Sequence, residues 1–175
     1  RRDGERSFWL AGGVGDGYKG KIKEEPQVRI EMMDKRMSRL DLALKTIPVD
    51  EQAIPFEVHD YTIISWGSTK GPILDAQAML KKEGIDIGFV QIKLLNPFPT
   101  EYVKSLLKDA KVLIDVEANH SGQLGKIFKQ NITREIDYHI LKYTGRGMTS
   151  TELYDSLKRI IENKAEKREI LSHGA

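Results

Sequence analysis

The sequence contains no cysteine. Disulfides, thiolate metal sites, cysteine-ligated iron–sulfur clusters and a cysteine nucleophile are therefore excluded for this chain. It also lacks an apolar run of the roughly 18 residues that a membrane-spanning helix needs, so we expect no membrane partner. The formal net charge is only +2, without the basic stripe that is typical of nucleic-acid binding. These absences favour a cytoplasmic protein that binds neither membrane nor nucleic acid.

Aromatic residues are few, at 7%, yet the 39% of hydrophobic residues suffices for a modest core within 175 residues. The chain opens with Arg1-Arg2-Asp3-Gly4, and neither an initiator methionine nor a signal-peptide pattern is present. We interpret the sequence as the end of a longer protein.

The first third of the chain is predicted to be an appendage. Residues 1–25 are rich in glycine and charge and carry little apolar surface. A helical pattern follows Pro26, with an apolar stripe at Ile30, Met33, Met37, Leu40 and Leu44. This connector helix packs either on the domain that follows it or on a part of the protein outside this chain. Residues 47–57 contain Pro48 and Pro55 and are predicted to form an extended linker, so the appendage covers residues 1–57.

Strand and helix patterns alternate from Tyr61 onwards, and their apolar strands predict an α/β domain over residues 58–163. The fold class is a three-layer architecture, in which a mostly parallel sheet carries helices on both faces. The predicted strands are Tyr61–Trp66, Ile85–Lys93, Lys111–Glu117 and a fourth near Tyr138–Tyr143. Asp115 interrupts the third strand and is open to several interpretations: an edge residue, a paired buried carboxylate or a functional group. We expect an edge position. Residues 164–175 are predicted to be a charged tail that frays.

Two glycine-bearing loops follow predicted strands and carry the candidate site residues. In the first, Ser68 and Thr69 offer hydroxyl donors and Lys70 offers a charge at the start of a helix, where anions often bind. The second loop begins at Glu117 and places Asn119 and Ser121 at the same edge of the sheet. We therefore predict an anion site formed by Ser68, Thr69 and Lys70, with Asn119 and Ser121 opposite. The alternative is that both loops supply only turns and helix caps.

The sequence does not match several motifs that would indicate a nucleotide, cofactor or metal site. The first loop has neither the Gly-x-x-x-x-Gly-Lys-Ser/Thr nor the Gly-x-Gly-x-x-Gly pattern of nucleotide-binding loops. Gly15-Asp16-Gly17 resembles the start of a thiamine diphosphate–metal motif, but the asparagine that should follow shortly is absent, since the next asparagine is Asn96. The four histidines lack metal-ligand spacing. We predict no metal site and no catalytic residue in this chain.

Four stretches together resemble the C-terminal region of the alpha chain of 2-oxoacid:ferredoxin oxidoreductases. They are Ser65-Trp66-Gly67-Ser68-Thr69-Lys70-Gly71, Gln91-Ile92-Lys93-Leu94-Leu95-Asn96-Pro97-Phe98-Pro99, Glu117-Ala118-Asn119-His120-Ser121-Gly122-Gln123-Leu124-Gly125 and Leu141-Lys142-Tyr143-Thr144-Gly145-Arg146. The stretch from Pro26 to Arg36 is similar to the connector helix of the family, and the likeness covers about residues 24–162. The family's Tyr-Pro-Ile-Thr-Pro substrate motif is not in this sequence.

The resemblance implies a transketolase C-terminal-like domain within an enzyme that converts a 2-oxoacid and coenzyme A to acyl-coenzyme A and carbon dioxide. It implies thiamine diphosphate, Mg and an iron–sulfur cluster in the full complex, with no cofactor bound by this region alone. The implied partners are the other domains of the alpha chain, the beta subunit and, through the complex, ferredoxin. Coenzyme A is the ligand implied near the two loops. The alternatives are a stand-alone anion- or nucleotide-binding interaction module, and the equivalent domain of a transketolase or 2-oxoacid dehydrogenase.

Overall fold

The computed structural model describes residues 25–173. The predictions for the N-terminal segment, including the Gly15-Asp16-Gly17 stretch, lie outside the described residues. The chain divides into two compact units, Arg1–Thr46 and Ile47–Ala175. Among the residues described, no helix combines the length and the apolar character that crossing a bilayer would require.

The described part of the first unit is one helix, α1, which spans Pro26–Thr46 as the apolar periodicity predicts. Pro26 occupies the first helical position, where a missing N–H group breaks no hydrogen bond. The predicted stripe is largely open to solvent, since Ile30, Met33 and Met37 are 54%, 42% and 56% exposed. What this stripe packs against stays a prediction.

The second unit is built on one six-stranded sheet with the strand order β1-β3-β2-β4-β5-β6. The strands are β1 Ala53–Glu57, β2 Tyr61–Ser65, β3 Gly88–Ile92, β4 Val112–Glu117, β5 Tyr138–Leu141 and β6 Arg168–Ile170. β1 runs antiparallel to β3, and every other neighbouring pair is parallel. This confirms the predicted mostly parallel sheet.

Within residues 47–173 this unit has five α-helices. They are the short α2 Val49–Gln52, α3 Lys70–Lys81, α4 Thr100–Leu106, α5 Gln123–Asn131 and α6 Ser150–Ile161. A 3₁₀ turn at Gly67–Thr69 leads directly into α3. Thr149 caps α6 through a reciprocal pair of hydrogen bonds with Glu152, which satisfies backbone N–H groups that the first helical turn leaves free.

Helices cover both faces of the sheet and form two apolar layers. On one face α3 and α6 pack against strand residues such as Ile63 and Ile114. On the other face α4 and α5 pack against Ile64, Val90 and Leu113. Consecutive strand residues thus enter opposite layers, as the two-residue period of a strand requires. The predicted three-layer α/β fold is confirmed.

The predicted linker over residues 47–57 differs from the structure. Ala53–Glu57 forms the edge strand β1, in register with β3 through the pair Ala53 and Ile92. Pro55 lies within that strand. Proline is tolerated there because an edge strand needs hydrogen bonds on one side only. The two prolines suggested a linker, but the apolar residues between them supply the buried side of a strand.

The prediction of a fraying tail after residue 164 is also wrong for the described residues. Arg168–Ile170 forms β6 beside β5, and Leu171 is buried. Lys142, only 2% exposed, donates from Nζ to Glu152 Oε2 at 2.6 Å and to the carbonyl of His173 at 2.5 Å. A buried ammonium needs such partners, so the charge of Lys142 holds the last described residues in place.

Asp115 is not an edge residue. Its strand β4 lies between β2 and β5 in the interior of the sheet, and the side chain is fully buried. Its Oδ2 lies 2.9 Å from Nδ1 of His139 on β5, and the two residues are register partners. The paired buried carboxylate, which was the second of the interpretations left open, is what the structure contains.

Candidate functional site

The strand order creates a crevice at the carboxyl ends of β2 and β4. β2 lies between β3 on one side and β4 on the other, and all three are parallel. The chain therefore leaves β2 towards one side of the sheet and leaves β4 towards the other. In open α/β sheets, ligands bind at such a switch point. We refer to the space between the loops after β2 and β4 as the crevice.

The loop after β2 is shaped by a glycine and by internal hydroxyl contacts. Gly67 has a φ of 69°, a conformation that favours glycine. Thr69 Oγ1 donates to Ser65 Oγ at 2.5 Å and also lies 3.0 Å from the carbonyl oxygen of Trp66. Ser65 Oγ donates in turn to the carbonyl of Val116 on β4 at 2.5 Å. The Thr69 hydroxyl thus belongs to a buried chain that ties the two strands together.

The loop after β4 is held in its turn by the side chain of Asn119. Its Oδ1 accepts hydrogen bonds from the backbone N–H groups of Ser121 and Gly122, at 3.0 and 2.9 Å. Gly122 then adopts a φ of 59° immediately before α5. A side-chain oxygen that replaces a backbone acceptor in this way is characteristic of asparagine in turns. The Oδ1 of Asn119 is therefore occupied, and its main role is to shape the loop.

Glu117, the last residue of β4, joins the two loops. Oε2 accepts from Trp66 Nε1 at 2.8 Å and from Asn119 Nδ2 at 2.7 Å. Oε1 accepts from the backbone N–H of Leu124 at 2.8 Å and, more weakly, from that of Gly125 at 3.4 Å. The residue is fully buried, so its negative charge is balanced by these donors and by the positive end of α5.

The two buried carboxyl groups of β4 have opposite pKa shifts. Burial raises the pKa of Asp115 to about 7; the hydrogen bond with His139 opposes this rise and the charge of Glu117 adds to it. Burial also raises the pKa of Glu117, but interactions with Asp115 and with the donors Trp66, Leu124 and Asn119 outweigh it, so that pKa is lowered. Near neutral pH, therefore, Glu117 carries the charge of this pair.

The crevice encloses a cavity of about 280 Å³. Its lining consists of Trp66, Gly67, Ser68, Thr69, Ala118, Asn119 and Gln123. Among the described residues, none hydrogen-bonds to the exposed hydroxyl of Ser68 or to the side chain of Gln123. The first turn of the 3₁₀ segment has no side-chain cap. These groups can donate hydrogen bonds to an anionic ligand.

The structure brings together only part of the predicted anion site. Ser68, Thr69 and Asn119 line the crevice. Lys70 does not: its Nζ lies 4.9 Å from the centre of the Phe56 ring. Ser121 lines a different cavity, next to α5. Lys70 is the first residue of α3, and its side chain reaches the Phe56 ring instead of the loop. Ser121 lies within the turn that Asn119 Oδ1 closes, and this turn places it beside the start of α5.

Two features of this region were not identified from the sequence. Trp66 was assigned only to a strand, yet its indole N–H connects the loops. His139 was set aside because histidine spacing along the chain showed no pattern, yet β4 and β5 place it against Asp115. Neither contact has a local signal, because both depend on which strands are neighbours.

Among residues 25–173, one group of side chains has the spacing of a metal site. Ligand atoms of Glu57, His59 and Asp86 lie within 4.8 Å of one another. Glu57 is already bonded to Lys81 and to His59, each at 3.2 Å, and is substantially exposed. We assign it no function.

Comparison with known proteins places this geometry in context. Residues 59–153 match the family model described as pyruvate:ferredoxin oxidoreductase core domain II. The chain is 38% identical over 158 residues to the 2-oxoacid:ferredoxin oxidoreductase subunit alpha of Saccharolobus solfataricus. That alignment covers 89% of this chain and 25% of the relative, so the chain spans about a quarter of the relative's length.

Solved structures agree with the sequence comparison. The 2-oxoglutarate:ferredoxin oxidoreductase from Magnetococcus marinus, solved with 2-oxoglutarate, coenzyme A and succinyl-CoA bound, is similar with a TM-score of 0.68 and 26% identity. The match covers 83% of this chain and 25% of that one. A split-gene transketolase is similar with a TM-score of 0.50 at 17% identity, over 66% of this chain and 43% of that one. This second likeness shows the fold alone and confirms its transketolase C-terminal-like character.

Replacing Glu117 by glutamine tests whether its carboxylate holds the two loops together through hydrogen bonds. An amide keeps one acceptor oxygen and turns an NH₂ group towards donors, so part of the set Trp66, Asn119 and Leu124 loses its acceptor. We expect Glu117→Gln to lower the free energy of unfolding by roughly 2–4 kcal/mol, measured by urea denaturation. Glu135→Gln is the control, because Glu135 is 77% exposed and solvent screens its ion pair with Lys129, so this substitution should leave the free energy of unfolding nearly unchanged. Equal effects of the two substitutions would contradict the role of Glu117.

The raised pKa of Asp115 predicts a pH dependence of stability. The folded state holds this proton up to about pH 7, whereas the unfolded chain releases it near the ordinary aspartate pKa of 3.8. Between these values the unfolded state binds fewer protons, so the contribution of Asp115 to stability falls as pH rises and levels off above about pH 7.

The measurement compares urea unfolding of the wild type with that of Asp115→Asn across this range. We expect the stability of the wild type relative to the variant to decrease by an amount on the order of a few kcal/mol between about pH 4 and about pH 7. An increase over the same range would show that Asp115 ionises more readily in the folded state.

Proposed function

The chain belongs to the pyruvate:ferredoxin oxidoreductase core domain II family, and from this premise we propose that it is an assembly domain of the alpha subunit of a 2-oxoacid:ferredoxin oxidoreductase. The family match over residues 59–153 carries this proposal. The likeness to about a quarter of the Saccharolobus solfataricus subunit supports a role as one domain of a larger chain.

In this proposal the complete enzyme oxidatively decarboxylates a 2-oxoacid with coenzyme A, and ferredoxin accepts the electrons. Thiamine diphosphate and Mg bind to other domains. The iron–sulfur cluster is held elsewhere in the complex, because this chain has no cysteine to ligate it. The domain contacts the other alpha-chain domains and the beta subunit, works in the cytoplasm and is inactive as an isolated fragment.

We further propose that the crevice lies near coenzyme A or another anionic ligand in the assembled enzyme. The free hydroxyl of Ser68, the uncapped 3₁₀ turn and the amide of Gln123 support this. Thr69 and Asn119 shape the two walls, since their own polar atoms are occupied. Lys70 and Ser121 contribute only if their side chains move towards the crevice.

Assembly can be tested by co-expressing a tagged alpha chain that contains this domain with the beta subunit of the same enzyme. We expect the intact pair to co-elute and to reduce an electron-acceptor dye when a 2-oxoacid and coenzyme A are added. An alpha chain truncated before Ile47 should lose co-elution and activity together. If the truncated chain still assembles and turns over at the intact rate, the assembly role is wrong.

Ligand binding at the crevice can be tested by calorimetric titration of the 175-residue chain with coenzyme A and with inorganic phosphate. We expect weak binding, with a dissociation constant on the order of 1 mM, that Ser68→Ala weakens roughly threefold. Ser105→Ala is a matched control, because Ser105 is an exposed helical serine whose hydroxyl bonds only to the carbonyl of Tyr102. Absence of heat at millimolar ligand would exclude independent anion binding by the crevice.

A further inference from the structure

A second cavity, of about 250 Å³, lies beside α5 and shares no lining residue with the crevice. We call it the α5 cavity. Its lining includes His139 on β5, together with Gly122, Gly125, Lys126 and Arg168. Nothing in the proposed assembly role uses these residues.

His139 is held in a defined orientation. Its Nδ1 lies 2.9 Å from Oδ2 of Asp115, which is fully buried, while the imidazole itself is 32% exposed. Among the described residues Nε2 has no hydrogen-bond partner. Because Nδ1 is hydrogen-bonded to the carboxyl group of Asp115, Nε2 is the ring nitrogen that can contact a ligand.

Two glycines of the α5 segment make room for this arrangement. A Cβ added at Gly125 would lie 2.7 Å from Cε1 of His139 and 3.1 Å from Oδ2 of Asp115. A Cβ at Gly122 would lie 3.4 Å from Nδ1 of His139. Glycine at both positions lets the start of α5 approach the imidazole directly. A side chain at either position would meet His139 or Asp115.

The charges around the cavity are predominantly positive. Lys126 is exposed, and the structure gives it no ion pair with any described residue. Lys129 is paired with Glu135, its Nζ lying 2.5 Å from Oε1. Arg168 donates from one nitrogen to the carbonyl of His120 at 2.5 Å and keeps further donors. Among the described residues of the lining, Lys126 and Arg168 therefore carry positive charge that no carboxylate neutralises.

We propose that the α5 cavity binds a tetrahedral oxyanion of the sulfate and phosphate class, with Nε2–H of His139, Lys126 and Arg168 as its donors. While Asp115 keeps its proton, its carboxyl group donates to Nδ1 of His139, and the neutral ring then carries its hydrogen on Nε2, directed towards the cavity. When Asp115 loses this proton, the neutral ring instead carries its hydrogen on Nδ1 and donates it to the carboxylate, so that Nε2 presents a lone pair and repels the oxyanion. Binding is therefore coupled to protonation of the His139–Asp115 pair.

The charged groups facing His139 come from every neighbouring element. Asp115 and, behind it, Glu117 lie on β4; Lys126 and Lys129 lie on α5; Glu135 lies in the loop before β5; and Arg168 lies on β6 in register with His139. The two carboxylates of β4 are buried, and Glu135 is engaged by Lys129. The side chains that reach a ligand are thus the cationic ones.

The experiment is a titration of the 175-residue chain with sodium sulfate, followed by the imidazole NMR signals of His139. Sodium chloride at equal ionic strength corrects for non-specific screening. Sulfate keeps its double charge from about pH 6 to about pH 8, so any pH dependence reports on the protein. We expect saturable shifts of His139 and an affinity that falls at least threefold across this range.

Variants separate the site from a general charge effect. Lys126→Ala and Arg168→Ala should each weaken sulfate binding roughly threefold. His139→Gln has no imidazole signal and is compared with the wild type by calorimetric titration with sulfate; it should weaken binding roughly tenfold and abolish its pH dependence. Lys108→Ala is the matched control, because Lys108 is 72% exposed and does not line the cavity. Ser68→Ala should also leave sulfate binding unchanged, which separates this site from the crevice.

Two results would overturn the proposal. One is a non-saturating response of His139 that chloride reproduces. The other is saturable binding to which Lys126→Ala, Arg168→Ala and Lys108→Ala all respond equally. If His139→Gln does not fold, the two surface substitutions at Lys126 and Arg168 decide the question, since both residues are exposed.

Discussion

The carboxylate of Glu117 is the interaction on which the shape of the strand-end edge depends. It receives the indole N–H of the β2 loop, the amide of its own loop and the first backbone N–H groups of α5. Each contact would be unremarkable on a surface. In a fully buried position, however, the charge and its donors satisfy one another, and losing any of them leaves a desolvated polar group. Glu117 positions Trp66 and Asn119, which line the crevice, and it also positions the first turn of α5, which borders the α5 cavity.

Much of the fold could be predicted from the sequence, because its signals are local. The apolar strands, the glycine-marked turns and the cap at Thr149 each act within a few residues. The same local rules failed for Ala53–Glu57 and for Arg168–Ile170. These segments become strands only because β3 and β5 offer unpaired edges, and proline or charge within them suggested linker and tail. Tertiary pairing outweighed local preference in both cases.

The candidate site was predicted less completely, for the same reason. Ser68, Thr69 and Asn119 were found because loops that follow parallel strands meet at one edge. The direction of the Lys70 side chain depends on the rotation of the first turn of α3, and the position of Ser121 depends on the turn that Asn119 closes. Spacing along the chain specifies neither. The prediction of an edge position for Asp115 is wrong because the sequence of one strand does not specify which strands are its neighbours in the sheet. His139, twenty-four residues away, supplies the partner that its burial requires.

The edges of the sheet have a consequence for association with other chains. β1 forms one border and contains Pro55, with an irregularity in its pairing between Pro55 and Glu57. The opposite border, β6, is only three residues long and begins with Arg168. Proline, a bulge, a charged residue and a short strand are the devices by which natural sheets resist recruiting a further strand. Neither border is a template for edge-to-edge polymerisation, so association of this domain with other chains is left to its helices and loops.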